Sequence, residues 1–178
     1  MRNWKKLKSK IVHKNPWYAV RKDSVIRPDG NQGEYYIVER GQSVAVIAED
    51  KDNKIYLVGQ TRYIFRHFSW EIVLGGVEGK ETLLEGAKRE LKEEAGLVAD
   101  KWIKLGYFYP VDCYSNEKCF LYLARKLKKR EKKPESTEDI RLKKEDLDNI
   151  ILMIKDNKIT DGMTITAIYK YILYNKKI

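Results

Sequence analysis

A chain of 178 residues and 21.0 kDa, 43% hydrophobic and 35% charged, can bury one core, or one core with a small appendage, and is too short for two ordinary domains. No apolar run approaches the roughly 18 residues that cross a bilayer, and the opening segment MRNWKKLKSK lacks the apolar stretch of a secretion signal, so a soluble cytoplasmic protein with no membrane partner is expected. The net charge of +10 is unevenly spread: residues 1–22 carry eight Lys/Arg and no acid, residues 125–133 carry seven and one acid, and residues 81–100 reverse the balance with six acids against three bases. The basic clusters read as solvated surface or as phosphate-attracting surface; no RNA-binding aromatic motif or zinc-finger spacing accompanies them, so nucleic acid is not an expected partner. Cys113 and Cys119, six residues apart, fit neither a zinc ligand set nor a disulfide framework and read as ordinary thiols.

Taken in chain order, period-two apolar runs between turn residues give the elements. Trp17–Val20, the turn Pro28-Asp29-Gly30 and Tyr35–Val38 form a small antiparallel unit, so residues 1–40 are expected as an N-terminal β unit and 41–178 as the main domain. SVAVIAED (43–50) and KIYLVGQT (54–61) predict a hairpin, and SWEIV (69–73) a strand that runs into Gly75-Gly76. A helix follows over 82–95, then strands at 102–109 and 119–127, a charged loop around Pro134, and helices at 145–155 and 163–174. Strands around one central helix, with helices closing the chain, predict an α/β domain with helices packed on a sheet.

The central helix, TLLEGAKRELKEEA, places Leu84, Ala87, Leu91 and Ala95 on one face. From Glu90, at about 100° per residue, Glu94 lies about 40° to one side and Glu93 about 60° to the other. Three carboxylates thus form a narrow arc bordering the buried face, while Glu85, Lys88 and Lys92 occupy the outward sector. Carboxylates at such spacing repel one another unless a cation sits among them, and hard oxygen ligands suit Mg²⁺ or Mn²⁺. Any one of these glutamates alone would read as a surface carboxylate. Together with Gly75, Glu81, Arg89 and Gly96 they make the spacing G-x5-E-x7-R-E-L-x-E-E-x-G-L, which chance would assemble on the order of one time in a million.

This segment resembles the signature of the Nudix hydrolase family, with every position present. The resemblance implies an α/β/α sandwich with a mixed sheet and hydrolysis of a nucleoside diphosphate linked to another moiety, with two or three Mg²⁺ or Mn²⁺ ions held by the helix. It implies that Glu90 and Glu94 are metal ligands, Glu93 a ligand or an orienting base, and the Leu74 carbonyl a further ligand. Arg89 is expected to hold a carboxylate in place, Glu81 to support the site, and Gly75 and Gly76 to keep the preceding loop free of side chains. Gly96 suits a helix C-cap.

Weaker pieces along nearly the whole chain resemble the ADP-ribose pyrophosphatase and nucleoside-diphosphate-sugar branch: Asn15-Pro16-Trp17, Glu34-Tyr35-Tyr36, Val58–Tyr63, Trp70-Glu71, Phe108-Tyr109-Pro110, Ser115-Asn116-Glu117, Glu138–Arg141 and Lys158–Thr164. They imply Arg62 on the diphosphate, Glu117, Tyr36 and Trp17 around the substrate, a general base at Glu135 or Glu138, and a homodimer through the N-terminal unit. For the N-terminal aromatics core packing is the competing role, and for Arg62 a surface salt bridge. Val73-Leu74-Gly75-Gly76 lacks the branch's usual proline, and Val111–Ser115 departs from its usual loop, leaving the sugar open. The expected substrate is ADP-ribose or a related nucleotide sugar; RNA-cap or dinucleoside polyphosphate hydrolysis, and a non-catalytic nucleotide sensor, are the alternatives.

Overall fold

A computed structural model describes residues 3–130 and 140–176. The chain divides into two compact units, residues 1–42 with 109–118 and residues 43–108 with 119–178. No helix among the described residues is long and apolar enough to cross a membrane.

The first unit is a three-stranded antiparallel sheet in chain order, β1 (Lys5–Lys14), β2 (Ala19–Ile26) and β3 (Gln32–Glu39). β1 was not anticipated: all ten of its residues are exposed, and its lysine-rich sequence has no buried face to impose an alternation. The turn after β2 closes through Asp29, whose carboxylate accepts from the Asn31 amide at 2.9 Å. Inside this sheet Asp23 is buried, accepts from Ser9 (2.7 Å) and Arg21 (2.9 Å), and is held below the usual carboxylate range by those bonds.

The second unit is an α/β/α sandwich, as expected. Its seven-stranded mixed sheet runs β10-β5-β4-β9-β8, with β6 on β5 and β7 on β4. The strands are β4 (Gln42–Glu49), β5 (Ile55–Arg62), β6 (His67–Glu71), β7 (Val73–Gly76), β8 (Leu97–Phe108), β9 (Lys118–Lys129) and β10 (Arg141–Glu145). The helices are α1 (Leu83–Ala95), α2 (Leu147–Lys155) and α3 (Gly162–Asn175).

The alternation read along β4 and β9 divides two cores. Val44, Val46 and Ala48 join Phe120 and Tyr122 beneath Ala87, Leu91 and Ala95 of α1. Ala45 and Ile47 join Leu121 and Leu123 beneath Ile150 of α2 and Ile168 of α3. Two features depart from the expected hairpin. The β4–β5 ladder pairs Ala48 with Tyr56 and Glu49 with Ile55; beyond it β7 runs along β4 and β6 along β5. The single strand expected at 69–73 is two strands that break at Ile72 so that each can follow a different partner. This break delivers Leu74 and Gly75 to the edge of α1.

Candidate active site

Helix α1 is fixed at both ends. Thr82 and Glu85 form a reciprocal capping box, and Gly96 ends the helix with φ of 63°, a left-handed conformation that glycine adopts without steric cost. With the apolar face seated on the sheet, Glu90 falls at the rim of the core, only 9% exposed. Its carboxylate lies directly over Gly75: a Cβ built there would stand 1.9 Å from Glu90 Oε1. Gly75 is therefore the position where any side chain would occupy the space of the glutamate, whereas a Cβ on Gly76 would meet nothing within 4 Å. One turn on, Glu94 Oε2 accepts from the Leu74 amide at 3.2 Å. Glu90 and Glu94 are thereby anchored on consecutive residues of β7.

Arg89 organises the rest. Its Nη1 donates to both Glu90 Oε1 and Glu93 Oε2 at 2.9 Å; its Nη2 donates to the Gly76 carbonyl (2.7 Å) and Glu81 Oε1 (2.8 Å), and its Nε to Glu81 Oε2 (3.2 Å). Glu81 also accepts from the Glu78 amide at 2.7 Å and is held below its usual range chiefly by Arg89. Burial pushes Glu90 the other way, up to about 7; Arg89 opposes that rise and the neighbouring Glu93 adds to it.

Among the described residues no three His, Cys, Asp or Glu side chains already close around a metal position. The donor chemistry nonetheless suits a hard divalent cation: three carboxylates on one helix edge, the deepest of them, Glu90, taken out of water by burial.

Arg62, at the end of β5, lies in this same unit and donates from both Nε (Oε1, 2.9 Å) and Nη2 to Glu71, a fully buried carboxylate on β6. The pair holds Arg62 more basic than usual, with Asp161 and Glu94 adding to the same field. An open cleft of about 520 Å³ is lined by Arg62, Glu71 and Asp161 together with the highly exposed Tyr63, Ile64 and Phe65. Arg62 does pair with a carboxylate, but a buried one and not the surface partner of the competing reading. Glu71 and Asp161 entered the sequence reading only as parts of matching pieces, with no role of their own; the signal for Glu71 lay in Ser69 and Glu71, polar residues two apart on the inward face of a strand.

Trp17, Tyr36 and Glu117 belong to the first unit. Trp17 (78% exposed) and Tyr36 (52%) are not packed in a core, so that competing role is overturned for these two aromatics. Glu117 is buried, with Arg40 3.6 Å away. The general-base candidates Glu135 and Glu138 lie outside the described residues.

Residues 39–161 match the family model of the NUDIX domain. The chain belongs to the Nudix family. Residues 4–38 match a second model, the nucleoside diphosphate sugar hydrolase N-terminal domain. Among curated relatives, this Nudix chain is 33% identical over 124 residues to the ADP-ribose pyrophosphatase of Mycobacterium tuberculosis, covering 68% of the chain but only 59% of that protein. It is 30% identical to the ADP-ribose pyrophosphatase of Bacillus subtilis, over 82% of the chain and 80% of that protein. It is 31% identical to the methanol dehydrogenase activator of Bacillus methanolicus, over 92% of the chain and 90% of that protein. A solved structure described as an ADP compounds hydrolase superposes with a TM-score of 0.88 over 99% of this chain and 96% of that one; at 17% identity it attests the fold alone. Nudix ADP-ribose pyrophosphatases use divalent metals.

Proposed function

We propose that this chain hydrolyses the diphosphate linkage of ADP-ribose or a related nucleoside diphosphate sugar to a nucleoside monophosphate and a sugar phosphate. The observation that carries this reading is the seating of Glu90 on Gly75 beside Glu94 and Glu93, joined to the match with two ADP-ribose pyrophosphatases. A diphosphate resists water mainly because its charged oxygens repel the nucleophile. Mg²⁺ or Mn²⁺, two or three ions held by Glu90, Glu94 and Glu93, would supply the neutralisation of those oxygens and the acidification of water.

The chain's own residues supply placement. Glu90 and Glu94 are the ligands fixed on β7, Glu93 is a ligand or the base that orients water, and the Leu74 carbonyl is a further ligand. Arg89 sets the position of Glu90 and Glu93 through its shared Nη1. Arg62, preorganised by Glu71, contacts the diphosphate with the edge of its guanidinium not engaged by Glu71. Trp17, Tyr36 and Glu117 serve the substrate, and Glu135 or Glu138 is the general base. Residues 1–40 form a homodimer contact, which light scattering at micromolar concentration tests: a monomer removes it.

The decisive experiment is Glu94→Gln assayed with Mg²⁺ and a panel of ADP-ribose, nucleotide sugars, dinucleoside polyphosphates and capped RNA. The amide can still accept from Leu74, so the fold is retained, while turnover falls by roughly 10²-fold or more. Undiminished turnover in a folded variant would refute the ligand assignment, and tight binding without product by the wild type would make the chain a sensor.

A further inference from the structure

We propose a second anion-binding site, for a compact oligophosphate group, in the cleft at the far end of β4. That cleft, about 640 Å³, is built wholly within the second unit by the β4–β5 turn, the start of β8, the end of β9 and Lys144 of β10. Four residues of strand, roughly 13 Å, separate its wall at Glu49 from Ala45, where β4 pairs with Leu74 of the Nudix loop.

Its charges are sorted into a fixed set and a free set. Glu49 is buried, receives Arg125 through two bonds (3.0 and 2.9 Å) and accepts from Tyr171 at 2.8 Å. Asp50 takes Lys144 at 2.7 Å. These pairs neutralise each other and stiffen the walls. Lys51, Lys126 and Lys129 line the same cleft, and among the described residues none of their side chains has a hydrogen-bond or ion-pair partner; Asp52 is the one lining carboxylate left unpaired by a cation. The free set is thus three cations against one anion.

Lys126 adds a second observation. It stands at φ 56° within β9, a conformation that residues with a side chain rarely adopt, while the register with β8 continues on either side of it (Lys101 with Arg125, Ala99 with Leu127). Three ammonium groups lining one open cleft match a ligand carrying several negative charges, which a chain of linked phosphates provides. The source is either inorganic oligophosphate or the phosphate tail of a nucleotide.

The test is calorimetric titration of the full chain with inorganic triphosphate, and separately with ATP, in EDTA so that no metal joins the ligand to the Nudix helix. The expected result is one triphosphate bound per chain. Affinity should fall at least tenfold in the double variant Lys126→Glu/Lys129→Glu and stay within twofold of wild type in Glu94→Gln. Equal affinity for the two ligands assigns the site to the phosphate chain alone; tighter ATP assigns it to a nucleotide. Because the double variant could fold poorly, lysine acetylation of the wild type is read in parallel, and triphosphate should protect Lys51, Lys126 and Lys129. No binding, binding lost in Glu94→Gln, or acetylation unchanged at all three lysines overturns the proposal.

Discussion

Replacing Gly75 by alanine tests whether the Nudix helix and β7 form a single device. The added methyl would begin 1.9 Å from Glu90 Oε1 and Cδ, whereas such contacts do not occur in proteins below about 3.0 Å, so the carboxylate must retreat by more than 1 Å. Gly75 sits in an ordinary strand pairing with Val44 and has no positive φ, so alanine is conformationally acceptable there and the fold should persist. A displacement of 1 Å in a group that positions a reacting centre costs roughly 10²-fold in rate. The expected result is a fall of about that size in kcat/KM for ADP-ribose in Mg²⁺, with thermal stability in EDTA little changed. Gly76→Ala is the internal control: its methyl meets nothing within 4 Å, and the Gly76 carbonyl that accepts from Arg89 is retained, so it should keep activity within a few-fold of wild type. Gly75→Ala at full activity, or equal losses in the two variants, would sink the reasoning.

The pH dependence of metal-free stability follows from Glu90. Its carboxyl titrates near 7 in the folded chain against 4.5 ordinarily, so between those values the folded chain holds a proton that the unfolded chain has released, and stability falls as pH rises through that window. The loss is at most about 3 kcal/mol; melting in EDTA should show it for wild type and a flatter profile for Glu90→Gln, whose amide stays neutral throughout. An equally steep profile in the variant would assign the slope to other groups. Arg89→Ala should destabilise the metal-free chain by about 2 kcal/mol, a melting shift of roughly 4–8 °C for a chain of this length. Mg²⁺ should restore part of it by replacing the lost cation, and a shift that Mg²⁺ does not touch would place the loss in packing alone.

The acidic arc was legible because a helix repeats every few residues and its faces can be counted from sequence alone. What lay beyond counting was made by contacts between distant residues. The seat of Glu90 on Gly75 depends on β7 pairing with β4 after the break at Ile72, and the Arg62–Glu71 pair on β6 following β5 before it. The sandwich was legible from β4 and β9, whose alternation is imposed by cores on both faces. β1 and β10 were not. β1 has no buried face, and β10 owes its place to pairing with β5 and to cations over aromatic rings, Lys143 4.4 Å from the centre of Trp70 and Arg141 5.2 Å from Phe68. Neither arrangement leaves a period in the sequence.

Arg89 holds two kinds of partner, and the difference between them yields a last prediction. Its bonds to Glu90 and Glu93 go to groups that a divalent cation would claim, whereas its bonds to Glu81 and the Gly76 carbonyl do not involve the proposed ligands. Arg89 can therefore release the first pair to a cation while the second keeps the guanidinium in place. Glu81 is then a positioning residue, eight residues before Arg89, and it also ties down the Glu78 amide of the loop. Removing such a supporting group costs about 10–100-fold in metal affinity or activity. Glu81→Ala should raise the Mg²⁺ concentration for half-maximal activity about tenfold, toward the lower end of that range because Gly76 still holds Arg89. At saturating Mg²⁺, kcat should return to within a few-fold of wild type, and Glu81→Gln, which keeps one accepting oxygen, should recover much of the affinity. A kcat that stays as low as that of Glu94→Gln at every Mg²⁺ concentration would make Glu81 a direct ligand instead.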